Sequence, residues 1–96
     1  MYISIKGTQL VYLGRVVGEV FVDDQGETVY NAPAGQWFGD IVKFTRNAPR
    51  DRGKTFYRSH AHGIGNCTHT HFSDAQDRIL FNLEGSLRAA DKTRGA

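Results

Sequence analysis

The chain opens on short alternations of apolar and polar side chains. Ile3 and Ile5 alternate with Tyr2, Ser4 and Lys6, a period of two that predicts a short strand within 1–7, ended by Gly7-Thr8. Residues 9–22 continue in Val, Leu, Tyr and Phe, interrupted at Gly14 and Gly18. β-Branched residues and two glycines disfavour a helix, so this run predicts either two strands meeting near Gly14-Arg15 or one long strand bent there. Asp23-Asp24-Gln25-Gly26 is a turn signal joining 17–22 to 27–31 as a hairpin, with Val20 expected to face Val29 and Gly26 supplying a positive φ. The acids at its tip read as solvated charge.

A loop over 31–36 contains Pro33 and Gly35. The Trp37 ring that follows is expected to cap the edge of the core, with an exposed contact anchor as the alternative. Residues 40–45 alternate as a strand. Residues 46–54 are polar and basic, a loop that cannot pack a core. Residues 55–62 return as a strand with Phe56, Arg58, His60 and His62 on one face and Tyr57, Ser59 and Ala61 on the other. After His71 the period changes. Ala75, Ile79, Leu80, Leu83, Leu87 and Ala90 form one helical stripe, Ser73 with Gln76 matches a capping box, and Asp74 and Asp77 suit a first turn. Gly85 interrupts the stripe. The rival is a strand over 78–84, with Ile79, Phe81 and Leu83 on one side. The helix is preferred, and 91–96 are expected to fray.

These elements predict a single domain over 1–96 of the α+β, β-rich class. It is a small twisted antiparallel sheet or partly open barrel of about five to six strands, with one C-terminal helix. Ninety-six residues allow a modest core and little room for a deep internal cavity.

Charge adds an asymmetry that the net +2 conceals. Residues 1–42 carry two basic and five acidic side chains, 43–58 carry six basic and one acidic, and 59–96 carry four of each. The cationic block thus falls immediately before the histidines, where it bears on partners more than the total does. The lone Cys67 excludes an intramolecular disulfide and suits a reducing, cytoplasmic compartment. Neither a signal peptide nor a membrane span is expected from the apolar runs.

All four histidines and the cysteine lie in Arg58-Ser59-His60-Ala61-His62-Gly63-Ile64-Gly65-Asn66-Cys67-Thr68-His69-Thr70-His71. The pattern is H-x-H, then C-x-H-x-H, with each pair at strand spacing around a glycine-rich turn. A hairpin turning at Ile64-Gly65 sets His62 opposite Cys67, His60 opposite His69 and Arg58 opposite His71, all on one face. A one-residue change in loop length would undo that. Imidazole and thiolate in such a cluster suit zinc, with His60, His62, Cys67 and His69 as the shell, although the spacing matches no common zinc-finger pattern.

Three functions compete. In the first, Lys43, Arg46, Arg50, Arg52 and Lys54, with Tyr57 and Trp37, bind nucleic acid or the surface of an acidic or nucleic-acid-handling protein. The protein-docking version is a non-catalytic inhibitor or accessory protein of the kind mobile elements encode, as a monomer or a homodimer. In the second, His60 and His69 act as base and acid in phosphodiester or RNA cleavage, with Arg58 and Lys54 stabilising the transition state, or a zinc-bound water attacks. In the third, a metal staples a small core and function lies in the loops.

Overall fold

A computed structural model describes the backbone of the chain except Asn47, Gly95 and Ala96, and the side chains of those residues except Asp51, Thr93 and Arg94. Seven strands form one antiparallel sheet in sequential order: β1 (Ile3–Lys6), β2 (Gln9–Tyr12), β3 (Arg15–Val22), β4 (Thr28–Asn31), β5 (Trp37–Thr45), β6 (Thr55–Ala61) and β7 (Gly65–His69). Helix α1 (Phe72–Arg94) follows. The sheet does not close into a barrel. Among the described residues no helix is long and apolar enough to cross a membrane.

The turns explain the order. Each joins neighbours too closely spaced for a crossover, so consecutive strands pair as a meander. The run 9–22 splits into β2 and β3 at Leu13-Gly14, a two-residue turn with φ of 52° and 78°. Positive φ at both positions is the signature of a tight hairpin matched to strand twist. The 23–26 turn forms, but Val20 pairs with Tyr30 and Phe21 with Val29, one position away from the expected register. Asp23 is also more than a solvated charge. Its carboxylate Oδ1 accepts from the amides of Gln25 and Glu27 at 3.0 and 2.8 Å, which satisfies the backbone of the turn.

The helix settles the ambiguity over 78–90. It runs 23 residues and buries Ala75, Ile79, Leu80 and Leu83 of the stripe read from the sequence, while Leu87 is half-buried and Ala90 exposed. Phe81, which the rival strand would have placed beside Ile79 and Leu83, points to solvent at 68 % exposure. Residues 91–94 are helical rather than frayed, and 95 and 96 lie outside the described residues. Gln76 accepts a hydrogen bond from the Tyr30 hydroxyl at 2.7 Å. Burial pushes the Tyr30 hydroxyl above the usual tyrosine range, so it stays protonated and donates.

One sheet face holds the helix. Opposed residues share a face, and the pairs Ile3–Tyr12, Ile5–Leu10, Val20–Tyr30 and Ile41–Ser59 all belong to it. The helix packs on β5, β6 and β7 and also on β1, so the sheet curls around it. The Tyr2 amide donates to the buried Glu84 Oε1 at 2.8 Å, tying the start of the chain to the helix. Opposite β3 the helix stands off and leaves a cleft of about 580 Å³, open to solvent rather than enclosed. Two bulges shape its sheet-side wall. Leu10 pairs with Gly18 but Val11 with Val16, and Tyr30 pairs with Gly39 but Asn31 with Trp37. The extra residues, Val17 and Phe38, both line the cleft.

Candidate nucleic-acid interface

The β6–β7 hairpin departs from the expected register. Ala61 pairs with Gly65, so residues 62–64 form the loop, and Ser59 opposes Cys67, His60 opposes Asn66 and Arg58 opposes Thr68. Gly63 and Gly65 take φ of 83° and 69°, which permits this tight reversal around Ile64. The pairing of His60 moves from position 69 to 66. That shift is odd, and an odd shift changes the face of every side chain on the strand. Cys67 and His69 therefore share the helix-side face with Ser59, while His60 lies on the opposite, outer face. His62 sits in the loop and lines the cleft, and His71 is exposed just before the helix.

The register thus parts the residues expected to converge. His60 and His69 are not a face-to-face acid–base pair, and Arg58 accompanies His60 alone. His60, His62, Cys67 and His69 do not form one shell. Among the described residues no three His, Cys, Asp or Glu side chains are grouped as metal ligands.

Two of the histidines have other partners. His69 Nε2 lies 2.9 Å from the Ser59 hydroxyl, which also donates to the Cys67 carbonyl at 3.4 Å. Ser59 is 2 % exposed. Its hydrogen bond with His69 satisfies a buried polar group. On the outer face, His60 Nδ1 lies 3.9 Å from Asp40 Oδ1, and the Trp37 indole donates to Asp40 Oδ2 at 3.0 Å. Asp40 was not singled out by the sequence, yet its position opposite His60 makes it the centre of that cluster. Trp37 is 46 % exposed, on the open face rather than capping the core.

The cationic block has a distinct structural setting. β5 pairs with β4 only as far as Ile41, and β6 pairs with β7 only from Tyr57 onward. The β5–β6 ladder nevertheless continues through Phe44–Phe56 to Thr45–Thr55. Its last rungs have no neighbouring strand among the described residues. They form a two-stranded arm, tipped by 46–54 with a short 3₁₀ turn at Pro49–Asp51. The longest dimension of the molecule is 54 Å, against about 34 Å for a helix of this length.

A ribbon without neighbours needs its own stabilisation. Here the Phe44 and Phe56 rings lie 5.9 Å apart, the Arg46 guanidinium sits 4.3 Å over Phe56, and the Arg58 guanidinium sits 4.8 Å over Phe44. Cation–π contacts of this kind add about 0.5–1 kcal/mol each at exposed sites. They also fix where two of the positive charges stand. Arg50, Arg52 and Lys54 are exposed around the tip, and Lys43 is exposed at the base. Tyr57 is half-buried edge-on to Phe72, with ring centres 5.8 Å apart, so it joins arm to helix. Trp37 belongs to the other end of β5, six residues or about 20 Å from Lys43 at strand rise.

No family model matches this chain, and neither curated proteins nor solved structures show a significant similarity to it.

Proposed function

We propose that this chain is a nucleic-acid-binding module that engages duplexes through the β5–β6 arm. The observation that carries the reading is the cationic ribbon outrunning its neighbouring strands. Six of the seven charged residues between 43 and 58 are basic. A two-stranded ribbon fits the major groove of B-DNA, and lysine and arginine at its edges neutralise phosphates.

The arm favours duplex over single strands. Stacking of bases needs open aromatic faces. Phe56 is only 7 % exposed, and both arm rings carry a guanidinium. The arm therefore offers charge and shape rather than a stacking platform. The test is fluorescence anisotropy with a labelled duplex and with its single strands at stepped salt. The reading expects tighter duplex binding and a log–log salt slope of about −5. Absence of binding at low salt would overturn it.

A second reading, docking onto a nucleic-acid-handling protein, draws support from the open outer face. Phe21 and Trp37 are exposed there at 42 and 46 %, apolar side chains of the sort that mark protein contacts when they cluster. In that reading the arm supplies charge complementarity, and substitution of Phe21 and Trp37 weakens binding more than substitution at the tip does.

A further inference from the structure

We infer that the cleft between α1 and β3 is a binding site for a small apolar molecule ending in a carboxylate. This site is separate from the arm. Its volume of about 580 Å³ falls within the ordinary range for small-molecule sites.

The cleft is built by specific features rather than left by loose packing. Both bulges turn an apolar side chain into it, Val17 from β3 and Phe38 from β5. Bulges re-aim side chains in this way beside functional sites. The helix adds Leu83 and Leu87. Space remains because several wall positions are small, Gly18 and Ala32 on the sheet side and Ser86 and Ala90 on the helix, although His62, Val16 and Pro33 line it too. Gly18 has no alternative, since a Cβ there would overlap the Asn31 carbonyl.

The mouth supplies the polar recognition. Arg15 and Asp91 both line it, with Arg15 Nη2 3.7 Å from Asp91 Oδ2. That separation is longer than a hydrogen bond, so the fork of Arg15 keeps donors for a second partner. Asp91 also has an interaction besides Arg15. Guanidinium pairs with carboxylate in a planar, two-point fashion, which places the acid group at the mouth and the apolar body against Val17, Phe38 and Leu87.

The experiment is an amide chemical-shift titration of the isotope-labelled full chain with decanoate, and in parallel with decanol. Saturation by decanoate below about 1 mM is expected, with shifts confined to residues around the cleft. Ala90→Phe and Ser86→Leu, both at exposed helix positions, fill the space and abolish saturation. Arg15→Gln weakens decanoate about tenfold and leaves decanol unchanged. Asp91→Asn breaks the ion pair yet keeps or tightens decanoate binding. Shifts that stay linear throughout, that spread over the outer sheet face, or that persist unchanged in Ala90→Phe would overturn the site. Equal loss of decanoate in Arg15→Gln and Asp91→Asn would overturn the role of Arg15.

Discussion

Neutralising the tip of the arm is the sharpest perturbation of the proposed interface. Arg50, Arg52 and Lys54 are exposed and lie beyond the last strand pairing at Thr45–Thr55, so their replacement by glutamine leaves the core untouched. If all six basic residues of 43–58 meet phosphates, the expected log–log salt slope on duplex DNA is about −5.4, at about 0.9 per contact. Raising salt from about 50 to about 200 mM then weakens binding about 2,000-fold. Removing three contacts leaves a slope of about −2.7 and a loss of only about 40-fold over the same interval. The assay is anisotropy at five or more salt concentrations for both proteins, with thermal unfolding to check that the midpoint is unchanged. A slope that is the same in the triple variant would refute the reasoning, because phosphate contacts cannot be removed without changing it.

Three further predictions test the frame that holds the arm. Leu13 adopts φ of 52° on an exposed turn, a region that costs an ordinary side chain about 1 kcal/mol. Leu13→Asn should therefore raise stability in urea by about that amount, and a loss would contradict the turn geometry. Gly39→Ala would place a Cβ 2.5 Å from the His60 carbonyl oxygen and 3.3 Å from Ile79 Cγ2. It should cost about 1–3 kcal/mol, seen as a fall of several degrees in the thermal midpoint; an unchanged midpoint would show that β5 and β6 are not this close. Tyr30→Phe removes the hydrogen bond to Gln76 and should cost about 1 kcal/mol in the same measurement, whereas a neutral result would mean water replaces it.

The parts of this fold that were legible are those set by local chemistry. Glycine and aspartate at 23–26 and the period change after His71 announce a turn and a helix without help from distant residues. Register is a different matter. Val20 could face Val29 or Tyr30 with nearly the same local cost, and the difference is decided by packing against α1. The histidine hairpin turned on the same point. Both Ile64-Gly65 and 62–64 are plausible loops, and Ser59 and Ala61 keep the helix-side face with either, since β5 pairing fixes the face of β6. That choice carried Cys67 and His69 to one face and left His60 on the other.

The two surfaces now proposed were legible to different degrees. The basic block was plain in the sequence, but its projection as an arm follows from where β4 and β7 stop pairing, which no window of residues displays. The Asp40–His60 neighbourhood depends on pairing across β5 and β6. The cleft depends on Gly18, Ala32, Ser86 and Ala90, small residues far apart in the chain that would each read as filler alone. The bulges that aim Val17 and Phe38 into it break the alternation on which strand reading relies.

The most direct test of the account is a map of the amides that move when a short DNA duplex is added to the labelled chain. The arm predicts changes concentrated over 43–58, with the helix-side core unaffected. Changes centred on β1 to β3, or none at 43–58, would contradict it.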